Sequence, residues 1–211
     1  MSSAVNCSLE ELQLALSDSQ LWGELLESQR SRLRGMVDAR MHQQLRGRID
    51  ASDIIQEAFI DATQRLPEYV ENPVVPFYVW LRSLTSQRLA IAHRHGLGTK
   101  ARDARREEPM VNKPQPDATS VVLLAALIGQ VDSPSSIAVQ REQKKILEAA
   151  LGELEPIDYE ILVLRHFEEM TNSEVAATLD IKPSAAANRY LRALERLKSA
   201  LARVAPGPSE F

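Results

Sequence analysis

The sequence has 211 residues, 44% hydrophobic and 26% charged, with a formal net charge of -4. This length and apolar content suit one large domain or two small ones and exclude global disorder. The acidic total argues against a free-standing nucleic-acid binder, and the single Cys7 excludes a disulfide framework and a thiolate metal cluster and fits a reducing cytoplasm.

The polar and acidic opening carries no secretory signal. From Met1 to Gln29 there are acids and no Lys or Arg. Asp18 to Ala39 repeats apolar residues at Leu21, Leu25, Leu26, Leu33 and Val37, which predicts a helix. A first basic block (Arg30, Arg32, Arg34, Arg40, Arg46, Arg48) follows, interrupted only by Asp38. Asp50 or Ser52 can cap a second helix with the stripe Ile54, Ile55, Ala58, Phe59, Ala62 and Leu66, and Pro67 is expected to stop it. Glu71, Asn72, Pro73 and Pro76 read as a rigid loop, and Phe77 to His95 as a further helix closed by Gly96 and Gly98.

A second basic block holds Arg82, Arg88, Arg94, Lys100, Arg102, Arg105 and Arg106. From about Glu107 prolines mark a linker around the apolar run 121–128, which is too short to span a bilayer and asks for cover from a domain or a partner. Regular patterning returns at Ile137–Leu151, Pro156–Phe167, Ser173–Leu179 and Pro183–Val204. No stretch alternates with period two, so the expected fold is all-α: two small helical domains joined by a long linker.

Two constellations carry chemistry. In the distal half, Thr171–Leu179 begins with capping residues, Asp180-Ile181-Lys182 makes a turn, and Pro183 fits the first position of a second helix. Val175, Leu179, Ile181 and Ala186 are expected to fill the core of this helix-turn-helix. Ser184, Ala185, Ala187, Asn188, Arg189 and Arg192 then face away, where an inserted helix can read base edges. Lys182, Arg196 and Lys198 suit phosphates. Plain packing of two helices is the competing explanation.

In the proximal half, Asp53, Gln56 and Glu57 share a helix face. Such a pair of carboxylates is compatible with a solvated face, a docking surface or an acid/base pair. Nothing nearby completes a metal-ligand set. Downstream, Phe77, Tyr78 and Trp80 precede the basic stretch. Aromatics interleaved with arginines stack on unpaired bases, although core packing explains Trp80 equally well. His93 and His95 point to different faces and make no metal pair. There is no P-loop, nucleophile elbow or Gly-rich dinucleotide loop, so neither catalysis nor a cofactor is expected.

Asp50-Ala-Ser-Asp-Ile-Ile-Gln-Glu-Ala-Phe, followed by Phe77-Tyr-Val-Trp-Leu-Arg-Ser-Leu, resembles region 2 of the group 4 (extracytoplasmic-function) sigma factors of the bacterial sigma-70 family. Leu154 to Leu201, with its helix-turn-helix, resembles region 4 of the same family, in the family's order on either side of a linker. The resemblance implies a non-catalytic promoter-specificity subunit, cytoplasmic and without membrane insertion. Its implied partners are core RNA polymerase, promoter DNA and an anti-sigma factor.

The same resemblance implies an acidic segment at 1–16, a region 2-like domain at 17–106, a linker at 107–136, a region 4-like domain at 137–205 and a tail at 206–211. Asp53, Gln56 and Glu57 match the helix that docks on the polymerase clamp. Asn72, Phe77, Tyr78, Trp80, Arg82, Arg88, Arg94, Arg102, Arg105 and Arg106 fall in the part that recognises and melts the −10 element, with the loop Tyr69–Pro76 placed to hold a flipped base. Lys182, Ser184, Ala185, Ala187, Asn188, Arg189, Arg192 and Arg196 match the reader of the −35 duplex. The competing class is an autonomous helix-turn-helix regulator with an N-terminal sensing or dimerisation domain.

Overall fold

The structure is a computed structural model that describes residues 7–42, 45–97, 145–147 and 149–204. Among these the chain is helical apart from turns, loops and one isolated bridge between Arg46 and Ile49. It divides into two compact units. The expected domain boundaries at 106/107 and 136/137, Arg102, Arg105, Arg106 and the apolar run 121–128 lie outside the described residues.

In the first unit, helices α1 (Leu9–Ala15), α2 (Ser19–Arg40), α3 (Ala51–Glu71) and α4 (Phe77–Leu97) pack on one another. The helix starts are chemical. Asp18 accepts from the N–H groups of Gln20 and Leu21, and Asp50 from that of Ser52. Each satisfies donors that a helix start leaves unpaired. The whole α3 stripe (Ile54, Ile55, Ala58, Phe59, Ala62, Leu66) is buried, as are Leu25, Leu26, Leu33 and Val37 of α2. Each large member contributes about 1.5–3 kcal/mol of transfer free energy.

Three expectations need correction here. Residues from Leu9 onward are not a separate leading segment: a Ser8–Glu11 capping box starts α1, whose Leu12 and Ala15 are buried in contact with the body of the unit. Pro67 does not stop α3, which continues to Glu71. Its ring removes one N–H donor, yet Leu66, Tyr69 and Val70 are buried around it, and that burial outweighs a local cost of about 3 kcal/mol. Gly96 lies inside α4 and does not close it; a Cβ there would collide with Leu45 Cδ2. Gly98 lies outside the described residues.

In the second unit, residues 145–147 and 149–152 are helical, followed by α5 (Pro156–His166), α6 (Asn172–Thr178) and α7 (Pro183–Val204). Thr171 and Glu174 form a capping box at the start of α6. The α6–α7 turn places Asp180 at φ 52°, a left-handed conformation that Asp tolerates better than most residues. There the Ile181 N–H reaches back to Ala176 O at 3.0 Å, closing the end of α6 as a Schellman-type cap. Val175, Ala176, Ala186, Ala193 and Leu197 are buried between the helices. Leu179 and Ile181, expected in that core, are only half-buried.

Candidate nucleic-acid and polymerase interface

The distal helix-turn-helix presents a defined outer face. Ser184, Ala185, Ala187, Asn188 and Arg192 of α7 are exposed, together with Lys182 in the turn. The short side chains at the start of α7 leave its backbone free to approach a groove closely, and Asn188 carries a donor and an acceptor suited to an adenine edge. Asn172 Nδ2 donates to Pro183 O at 2.8 Å and pins the start of α6 to the start of α7. His166 Nε2 lies 3.0 Å from the Tyr190 hydroxyl. Burial, and then the nearby Arg165 charge, push the His166 imidazole down to about 4, so it is neutral at physiological pH.

Two of the expected DNA contacts are engaged elsewhere. Asp158, in the first turn of α5 and 1% exposed, receives Arg189 Nη1 on Oδ1 at 3.4 Å and Arg196 on Oδ2. Arg196 also lies 3.1 Å from Glu155. These pairs raise the Arg196 guanidinium above its ordinary value, the Asp158 hydrogen bond most of all. Arg189 and Arg196 therefore hold α7 to α5. They are not free cations awaiting phosphate.

In the first unit, Asp53, Gln56 and Glu57 are exposed along α3, as expected. Ile60, which patterning did not single out, is 51% exposed one turn further along. Arg88 of α4, expected at the −10 DNA, is engaged within the unit: it grips Asp61 with Nε and Nη2 at 2.5 Å each and approaches Glu57 at 3.4 Å. The guanidinium hydrogen bonds hold the Asp61 carboxyl below the usual carboxylate range. This bidentate geometry ties α4 to the helix that carries Asp53 and Glu57.

The aromatics also fall differently. Phe77 and Tyr78 are 6% and 3% exposed, so neither offers an open ring face at the surface of the unit. Phe77 packs edge-on to Trp22 with ring centres 6.0 Å apart, and the Arg32 guanidinium lies 3.5 Å over the Tyr78 ring. Trp80 is half-buried and stacks on Tyr69 at 4.4 Å. Asn72 and Arg94 are exposed and Arg82 is half-buried. Beside Asn72, a groove of about 320 Å³ is lined by Leu9, Tyr69, Pro73, Val74, Val75 and Phe77, among others. The Tyr69 hydroxyl donates to Val75 O at 2.7 Å and fixes the shape of this loop. Arginines of the first basic block are spent internally too: Arg30 pairs with Glu27, Arg34 with Asp38, and Arg46 donates to Asp38 O.

Among the described residues no helix is long and apolar enough to cross a membrane, and no group of three or more His, Cys, Asp or Glu side chains could hold a metal ion.

The sequence model described as "Sigma-70, region 4" matches residues 144–197. No protein of curated function matches the sequence. Among solved structures the chain is similar to CnrH in complex with the cytosolic domain of CnrY. The identity is 19% and the TM-score 0.52, over 92% of this chain and 97% of that one. At that identity the likeness speaks for the fold. The helix-turn-helix thus lies within a segment that matches sigma-70 region 4, on a chain whose fold resembles that of CnrH over nearly its whole length.

Proposed function

We propose that the protein binds core RNA polymerase and directs initiation at a subset of promoters, reading the −35 element as duplex and helping to open the −10 element. The observation that carries this reading is the exposed, short-side-chain start of α7 on a helix-turn-helix matched by sigma region 4. Short residues there suit entry into a major groove, which a plain packing helix does not need.

Asp53, Gln56, Glu57 and Ile60 form the docking face for the polymerase. Asn72, Trp80, Arg82, Arg94 and the grooved loop 72–76 serve the opened −10 strand, with Arg102, Arg105 and Arg106 as cations that follow. The groove is large enough to take a small planar ligand such as a flipped base. Lys182 and Arg192 serve the −35 phosphates and edges. A protein partner that binds the chain fits the same reading, since CnrH is found in complex with the cytosolic domain of CnrY.

In vitro transcription with purified core polymerase on a genomic promoter library tests the proposal. Specific transcripts sharing paired upstream motifs are expected. Tight, specific duplex binding by the chain alone, with no polymerase-dependent transcription, would instead identify an autonomous regulator.

A further inference from the structure

We propose that Asp158 is the positioning residue of the −35 reader: by holding Arg189 and Arg196 together it fixes the register of α7, and it keeps Arg189 from reading bases. The inference rests on the promoter-binding function proposed above. Arg189 and Arg196 are seven residues apart, two helical turns, and so lie on one stripe of α7. One carboxylate meets both, a separate oxygen for each, from a position only 1% exposed. Rotation of α7 about its axis, or a slide along it, breaks both pairs at once.

Asp158 lies in the first turn of α5, where the helix dipole stabilises an anion. Its guanidinium partners are half-exposed, with side-chain exposures of 37% for Arg189 and 49% for Arg196. The clamp therefore has a buried jaw and two solvent-side jaws. With Arg189 engaged, direct readout falls to Ser184, Ala185, Ala187, Asn188 and Arg192, the exposed residues of the outer face. Small apolar groups contact thymine methyls and an amide pairs with adenine, so this face favours A·T pairs where Ala185, Ala187 and Asn188 meet the groove. Arg192 is the arginine left for a guanine edge or a phosphate.

The test uses the full chain with core polymerase and a promoter library randomised across the −35 element, selected well below the melting temperature of each variant. In wild type a sharp motif is expected. Failure of wild type to select any motif overturns the promoter-binding function itself, and this inference with it. In Asp158→Asn, affinity for the wild-type motif should fall about tenfold, the size of one lost base contact, and preference should blur at every position of the motif. Arg189→Gln should lower affinity without erasing preference at any single base pair, whereas Asn188→Ala should erase one.

Should Asp158→Asn fail to fold by circular dichroism, Arg196→Gln and Arg196→Lys decide: both alter a half-exposed jaw, and Lys, which keeps the charge, should recover part of the sharpness that Gln loses. A folded Asp158→Asn with unchanged motif and affinity, equal sharpness in Arg196→Gln and wild type, or a single base position lost in Arg189→Gln would each overturn the proposal.

Discussion

Replacing Tyr69 by Phe removes a single oxygen and tests the loop at the proposed −10 site. The ring remains stacked on Trp80 at 4.4 Å, so only the 2.7 Å hydrogen bond to Val75 O disappears. A neutral hydrogen bond contributes about 0.5–1.5 kcal/mol net. Val75 is only half-buried, so water can re-solvate its carbonyl, which places the loss near the lower half of that range. For a unit of this size, about 1 kcal/mol moves the melting midpoint by roughly 4–8 °C. Both tryptophans of the chain, Trp22 and Trp80, lie in the first unit, so tryptophan fluorescence follows that unit alone.

A second signature comes from pH. Burial, and next the charge of Cys7, push the Tyr69 hydroxyl up to about 12. A folded value above the ordinary one means stability that is complete below pH 10 and is lost as pH rises toward 12. Wild type should therefore lose stability over that window more steeply than Tyr69→Phe. Permanganate footprinting of the open promoter then reads the loop's role, with reduced −10 reactivity expected. An unchanged melting transition would refute the hydrogen bond as a brace, and unchanged opening in a measurably loosened variant would refute the loop as the strand-holding element.

The remaining expectations concern the other faces. Asp53→Lys should weaken holoenzyme assembly in a core-polymerase titration while circular dichroism stays unchanged; it is a cleaner reversal than Glu57→Lys, which also places a cation 3.4 Å from Arg88. Arg88→Gln should lower the melting temperature seen by tryptophan fluorescence yet leave the salt dependence of promoter binding unchanged, because the guanidinium is held by Asp61; a flatter salt slope would return Arg88 to the DNA. His166, depressed to about 4 from an ordinary 6.5 by burial and by Arg165, contributes stability that is complete above pH 6.5 and is lost as pH falls toward 4. His166→Gln should flatten the acid limb of unfolding for the second unit, followed by helical ellipticity, and an unaltered limb would place the acid sensitivity elsewhere.

What the sequence made legible was local. Asp18, Asp50 and Thr171 with Glu174 announce helix starts because a cap acts within three residues, and the α3 stripe announces its buried face because helical spacing repeats. Pro67 and Gly96 misled for the opposite reason. Local rules treat both as breakers, whereas the burial around Pro67 and the approach of Leu45 to Gly96 come from residues that patterning does not bring together.

The cations show the same divide. Arg88, Arg189 and Arg196 sit in basic runs, yet their acids are 27, 31 and 38 residues away in the chain. A signal for them was present in part: Asp158 interrupts an otherwise apolar helix start, and Arg189 and Arg196 share a stripe. The aromatics carried a warning too. Positions 77, 78 and 80 spread around a helix, so they cannot all offer a face to one strand; the two that packed inward are those met by Trp22 and by Arg32. A count of basic residues in a run is therefore an upper bound on the charge available to a polyanion. In this chain the acids packed against each run set the remainder: they withdraw Arg30, Arg34, Arg88, Arg189 and Arg196, and leave Lys182 and Arg192 beside the short residues at the start of α7, where sequence reading and geometry place the same surface.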